Sequence, residues 1–289
     1  MRKTLTIFLL LALLCKLTVK AQPLFNEERF SANNGIRSVV QGAFQDNQGY
    51  LWFATWSGLE KYDGYSFKSY KSHVGDGSTL TNNRIVSVQE GWNSNLWCCT
   101  YDNRAFLFDV HNEFFIDVLL PIEQTMKRKN VVQSLYTLPK GVTWIVCSGG
   151  FTYRVDERHL KEEGAIRYFG TFDGSLRGDY VYGVFQDKEK NEWILTDKGP
   201  TVLGHKSIDC NYPFQFHQER GNSIWMITPS GFLARYDKRK RQVIPVSIPY
   251  PIQRVRSLNM MRNGTLTIGT DSGLLLYCTI SGLFEKGTE

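Results

Sequence analysis

A short pattern returns along this chain at intervals of about 43 residues, and such a period restricts the fold more tightly than any overall composition. Its two clearest copies, residues 49–59 and 264–274, align without a gap. With Trp52 as the anchor of the first copy, the same place is filled by Trp97, Trp144, Trp193, Trp225 and Thr267, which makes six units. Three residues past each anchor stand Thr55, Thr100, Cys147, Thr196, Thr228 and Thr270. Six past it stand Gly58, Asn103, Gly150, Gly199, Gly231 and Gly273. Glycine and asparagine accept a positive φ most cheaply, so this second column predicts one tight reversal at the same point of every unit. Ten residues before the anchors stand Gly42, Ser87, Ser134, Gly183, Gln215 and Ser257, nearly all small, as an innermost strand requires where units converge.

Around these columns the residues alternate or form short apolar runs, as at 39–44, 51–55, 59–62 and 66–70, which reads as four antiparallel strands, A to D, per unit. A β-sandwich would not repeat tryptophan, threonine and glycine in phase. The expected fold is all-β, a β-propeller of four-stranded antiparallel blades with six blades visible. The anchor tryptophans are then core residues packed between neighbouring blades, not ligand contacts.

The first residues are set apart from this pattern. Arg2 and Lys3 precede an apolar run over residues 5–14, followed by Val19, Lys20 and Ala21, so residues 1–21 read as a signal peptide cleaved after Ala21. The run is shorter than the ~20 residues that cross a bilayer. Without that leader the formal net charge falls from +6 to +2, which removes any argument for nucleic acid as a partner. Local clusters at residues 127–129 and 238–241 sit among turns and strand ends, where solvated charge is the ordinary state. Cys98, Cys99, Cys147, Cys210 and Cys278 remain, an odd number without the spacing of a disulfide framework or a zinc site.

Residues 46–67 carry an aspartate, a glycine, Leu51-Trp52, a small residue with Thr55, Gly58-Leu59, Tyr62-Asp63 and then an aromatic. This string resembles the two-component regulator propeller repeat, and residues 30–36 and 78–85 fit its blade entrances. The likeness is strong in units one and two, weaker in three to five, and returns in six. Members of that family are typically hybrid two-component sensors whose exported half is a pair of seven-bladed propellers, followed by a β-sandwich, a membrane helix and cytoplasmic signalling domains. The resemblance implies that residues 22–289 form a propeller domain truncated at its C-terminus, six blades of a seven-bladed ring, the alternative being a short relative that closes with six. It also implies a periplasmic location, tethering to the inner membrane through a downstream segment, and contacts with a second propeller and a homodimer mate. Residues 24–30 could supply a strand that completes the last blade.

Topology alone places candidate ligand residues. In an up-and-down blade the B–C turn and the D–A connection open on the same side. The B–C turns carry Trp56, Tyr101, Asp197 and Asp271, and the D–A connections deliver Asn82, Asn83, Arg84, Asn130, Asp179, Tyr180, Asn211, Arg254 and Arg256. Fourteen residues before the anchors, Ser38, Asn83, Asn130, Asp179, Asn211 and Gln253 put a polar side chain at the channel mouth of every unit. Aromatics that stack on sugar faces, beside amides, carboxylates and guanidiniums for hydroxyls, would suit an oligosaccharide. The ligand-binding set expected is Trp56, Tyr101, Asn83, Arg84, Asp179, Tyr180, Asp197 and Arg254. Polar residues at strand starts also satisfy free backbone groups, so a purely structural reading of each stands beside this one.

Catalysis has little support. His73, His111, His159, His205 and His217 are scattered without metal-ligand spacing, and no phosphate loop or nucleophile elbow occurs. The chain is expected to be no enzyme and to need no cofactor or metal. A ligand-sensing propeller of a two-component sensor is the leading expectation, a stand-alone secreted binding propeller the second, and a glycan-active enzyme the third.

Overall fold

The computed structural model describes residues 35–36, 38–72, 80–205 and 208–287. The chain divides into two units, Met1–Gly35 and Ile36–Glu289, and the second holds every strand below. The expected leader and the candidate closing strand at 24–30 lie outside the described residues.

Six antiparallel sheets follow one another in chain order. Blade one is β1 (Val40–Gln45), β2 (Leu51–Thr55), β3 (Gly58–Tyr62) and β4 (Phe67–Tyr70); blade two is β5 (Ile85–Glu90), β6 (Leu96–Thr100), β7 (Ala105–Asp109) and β8 (Phe114–Ile116). After the helix α1 (Leu120–Met126), blade three is β9 (Val132–Leu138), β10 (Val142–Cys147), β11 (Thr152–Asp156) and β12 (Ile166–Phe169). Blade four is β13 (Val181–Gln186), β14 (Glu192–Thr196) and β15 (Gly199–Val202). Blade five is β16 (Phe216–Arg220), β17 (Ser223–Ile227), β18 (Leu233–Asp237) and β19 (Gln242–Val246). Blade six is β20 (Val255–Met260), β21 (Thr265–Thr270), β22 (Gly273–Cys278) and β23 (Phe284–Lys286). This is the all-β propeller architecture expected, with one correction. Blade four has three strands among the described residues, because the stretch after β15 is held by a side chain instead of a ladder. The Arg177 guanidinium donates to the carbonyls of Ile208 and Cys210 and to Asn211 Oδ1.

The anchor tryptophans are at most 5% exposed, and each packs into the next blade. Trp52 lies with Leu96, Cys98 and Phe108, Trp97 with Ile145, Tyr153 and Val155, and Trp144 with Val184 and Ile194. Trp193 joins Ile224, Met226 and Tyr236, and Trp225 joins Leu266, Ile268 and Tyr277. Five apolar cores thus link six blades in sequence, and each tryptophan removes ~200 Å² from water, worth about 5 kcal/mol before entropy is counted. At the sixth anchor the half-buried Thr267 faces no such core among the described residues.

All six residues of the glycine and asparagine column have positive φ, from 57° at Asn103 to 124° at Gly58. The threonine column works with it. Thr55, Thr196 and Thr270 each donate their hydroxyl to the carbonyl three residues on, at 2.8, 2.7 and 2.7 Å, and accept from the amide two residues on. The column of small residues also has a local cause. In β1, β5, β13 and β20 the register slips immediately before Gly42, Ser87, Gly183 and Ser257, and in blade three it slips between the partners of Val132 and Ser134. A bulge at these five inner-strand entrances bends the strand, and since a Cβ added at Gly42 or Gly183 would meet nothing closer than 4.0 or 3.6 Å, the column follows the bend and not a lack of space. Blade five, with Gln215 in that place, pairs without a slip.

Candidate functional site

One backbone bond recurs where the B–C turns and D–A connections emerge, and it decides which candidates meet. The residue after the threonine column donates its amide to the carbonyl of a D–A residue of its own blade: Trp56 to Val39, Tyr101 to Arg84, Ser148 to Val131, Asp197 to Tyr180 and Asp271 to Arg254, at 2.8 to 3.2 Å. Each B–C side chain is therefore set beside the entrance of its own inner strand.

In blades one and two this builds a platform. Tyr101 stands over Arg84, whose amide is itself held by Asn82 Oδ1 at 2.9 Å. The guanidinium reaches back toward the preceding blade, 5.5 Å from the Trp56 ring centroid and 5.7 Å from that of Tyr101. Both rings are largely open to solvent, Trp56 at 45% and Tyr101 at 61% exposure. Two exposed aromatic faces bracketing one cation hold the guanidinium by its attraction to the ring quadrupoles while its N–H edges stay available.

Asp179, Tyr180 and Asp197 form a second group in blade four. Asp197 Oδ1 accepts the Tyr180 amide at 3.2 Å, and Asp179 takes the Thr171 hydroxyl. Asp179 also lies against Gly150, where any Cβ would come within 2.7 Å of its Oδ1. Tyr180 is 62% exposed, so this group presents a phenol whose backbone amide is held by the Asp197 carboxylate. In blade six Arg254 is exposed, and the neighbouring Asp271 is paired with Arg256 at 2.5 and 3.1 Å, which holds that carboxyl below its usual range.

The polar column at the channel mouth is mostly bracing. Asn83 takes the Ser72 amide at 2.7 Å and returns a bond to its carbonyl at 2.9 Å, tying the end of blade one to the start of blade two. Asn83 thus braces the chain between the two blades. Asn130 is buried, accepting from Tyr153 Oη at 3.1 Å while its amide donates to Glu123. Asn211 is taken by Arg177 at 2.6 Å. A strand start that must anchor a connection spends its amide there, the structural outcome that the sequence left open.

The inner strands of blades two and three part to leave a cleft of ~340 Å³ lined by Ser87, Gln89, Cys99, Thr100, Asn103 and Ser134, among others. Thr100 and Asn103 lie on either side of Tyr101 in the same turn, so cleft and platform share a wall. Sequence reasoning missed this cleft, although the small Ser87 and Ser134 that help to form it stand in a recognised column. Among the described residues no group of three or more His, Cys, Asp or Glu side chains is placed to hold a metal ion.

Neither a protein-family model nor a curated protein matches the sequence. Solved structures do. One is described as the extracellular domain of the hybrid two-component system BT4673 from B. thetaiotaomicron, at 20% identity and TM-score 0.55 over 92% of this chain and 34% of that one. The corresponding domain of BT3049 from the same organism gives 19% identity and TM-score 0.56 over 86% of this chain and 34% of that one. Virginiamycin B lyase from Staphylococcus aureus gives 11% identity and TM-score 0.51, covering 86% of this chain and 84% of that one. The chain spans about a third of the length of the two extracellular domains, and what it shares with all three structures is the propeller fold.

Proposed function

We propose that this chain is the ligand-sensing part of an exported two-component sensor, and that it binds an oligosaccharide on the platform of Trp56, Arg84 and Tyr101. The observation that carries the proposal is the pair of exposed rings around one guanidinium, next to a polar cleft. Stacked rings suit the apolar faces of sugars, and the guanidinium with the hydroxyl and amide groups of the cleft suits their edges. The likeness to extracellular domains described as belonging to hybrid two-component systems supports the sensor role, as does the resemblance of residues 46–67 to the regulator propeller repeat. On this reading the domain lies in the periplasm, packs against a second propeller and a homodimer mate, and is tethered to the inner membrane by a further segment. Signalling then needs only that the ligand bind two arrangements of the dimer with different affinities.

Titration of the chain with a panel of plant and host glycan oligosaccharides, read by calorimetry, tests the binding. At least one should bind, and Trp56→Ala should weaken it by ~tenfold or more while leaving the melting temperature within a few degrees of the parent. Binding that survives both Trp56→Ala and Tyr101→Ala would remove the platform from the account.

A further inference from the structure

At the opposite end of the blades, where A–B and C–D turns emerge, blades four and five enclose a cleft of ~380 Å³ that the proposed function does not use. Its floor is apolar, made by Trp193, Val202 and Ile208. Its walls come from the A–B turn of blade four, with Asp187, Glu189 and Asn191, and from the C–D turn of blade five, with Lys238, Arg239 and Arg241.

Most of the charge here is already paired. The Lys238 ammonium sits among Asp187, Glu189 and Glu219, 3.5 Å from the first and 2.5 Å from the last. Asp187 accepts in addition from the Asn191 amide and side chain and from Trp193 Nε1, at 2.8 to 3.0 Å. Arg239 is held by Asn222, whose oxygen accepts from Nε at 2.9 Å and Nη2 at 3.0 Å once its amide is turned to match. His205 Nε2 meets Asn191 Oδ1 at 2.9 Å.

Two groups remain unspent. Arg241 is exposed and has no ion-pair or hydrogen-bond partner among the described residues. Tyr236 is 8% exposed, its ring packed edge-on against Trp193 at 5.0 Å, and its hydroxyl has no partner among the described residues. The ring is buried but the hydroxyl is reached by solvent at the cleft wall, where a ligand can accept from it in place of water.

We infer that this cleft is a second binding site, distinct from the platform, for a single sugar ring carrying a carboxylate. The carboxylate accepts from Arg241 and Tyr236 Oη, and the ring lies on the apolar floor of Trp193, Val202 and Ile208. Its hydroxyls meet the Asn191 and His205 pair at the rim. On the cleft walls the carboxylates of Asp187 and Glu189 are outnumbered by the cations of Lys238, Arg239 and Arg241. The volume is in the range of small-ligand sites, and one charge-assisted contact with one phenol bond suits a carboxylate better than a neutral sugar.

Calorimetric titration of the full chain with D-glucuronate, D-galacturonate and D-glucose tests this. At least one uronate should bind saturably and about tenfold or more tighter than glucose. Arg241→Gln and Tyr236→Phe should each cost about tenfold, and Trp56→Ala should leave uronate binding unchanged, which separates this site from the platform. Tyr236→Phe keeps the ring and its packing, and Arg241 is exposed, so neither variant threatens the fold. Absence of saturable binding by both uronates, binding unaffected by both substitutions, or equal affinity for glucose would overturn the assignment.

Discussion

At the level of single residues, the anchor tryptophans do more than fill space. Trp52 and Trp193 donate their indole N–H to Asp46 and Asp187 of their own blades, at 2.8 and 3.0 Å. Trp97 and Trp144 donate instead to Glu157 and Glu192 of the following blade, at 2.9 and 2.8 Å. The difference has a sequence cause. Six residues before the anchor stand Asp46 and Asp187 in blades one and four, but Gly91 and Leu138 in blades two and three, so there the neighbour must supply the acceptor. The column was legible in the repeat, whereas the substitute carboxylates sit at unrelated places in theirs and show no pattern. Glu157 is the most committed, since it also accepts from Thr143 Oγ1 at 2.6 Å and the Trp92 amide at 2.7 Å. Replacing it orphans three donors in a largely buried site, and each unmet donor costs ~1–3 kcal/mol. Glu157→Ala should lower unfolding stability by at least about 3 kcal/mol in urea titration, whereas an effect below 1 kcal/mol would mean that water replaces the carboxylate.

Blades are where sequence and structure agree best and where their one disagreement has a readable origin. The tight turns, the inter-blade tryptophans and the small inner-strand column all follow from positions that repeat. The fourth strand that blade four lacks among the described residues also left a trace, because Trp193 and Trp225 are 32 residues apart while the other neighbouring anchors are separated by 42 to 49. A shortfall of about ten residues is one strand and its turn. What spacing could not show is the device that replaces the strand, since Arg177 lies in the D–A connection before its own blade and reaches 31 to 34 residues along the chain. The second cleft was illegible for the same reason, as its walls come from non-equivalent turns of two blades. Arg177→Ala frees the carbonyls of Ile208 and Cys210. Amide exchange across residues 208–214 should then rise by about tenfold or more, with blades one to three unchanged, and uniform protection across both regions would show that apolar packing of Phe214 suffices.

For the molecule as a whole, stability is set at the junctions between blades, because each blade alone is a small sheet with two apolar faces. The junction of blades four and five is the acid-sensitive one. His217 of β16 stacks on Phe185 of β13 with ring centroids 3.5 Å apart and planes 12° from parallel. Burial there lowers its pKa from 6.5 to about 4, because the imidazolium loses hydration with no anion to compensate. The folded state thus resists a proton that the unfolded chain accepts. The stabilising term is complete above pH 6.5 and is lost as the pH falls toward 4, by up to about 3 kcal/mol in all. Asp187 at the same junction acts in a separate window. Its burial raises the pKa, but the bonds from Asn191 and Trp193 and the charge of Lys238 outweigh that and hold it below the usual carboxylate value. Its contribution is present above the ordinary carboxylate pKa of ~4 and lost only below it. Between about pH 7 and pH 5.5, above the range in which the carboxylates take up protons in the unfolded chain, the slope of stability against pH therefore belongs mainly to one histidine. His217→Gln removes the titrating group, so its unfolding free energy should stay nearly level across that interval while that of the parent falls. The two curves should converge toward acid, whatever offset the substitution imposes at neutral pH. Parallel curves would place the acid sensitivity elsewhere and leave the junction of blades four and five no weaker in acid than its neighbours.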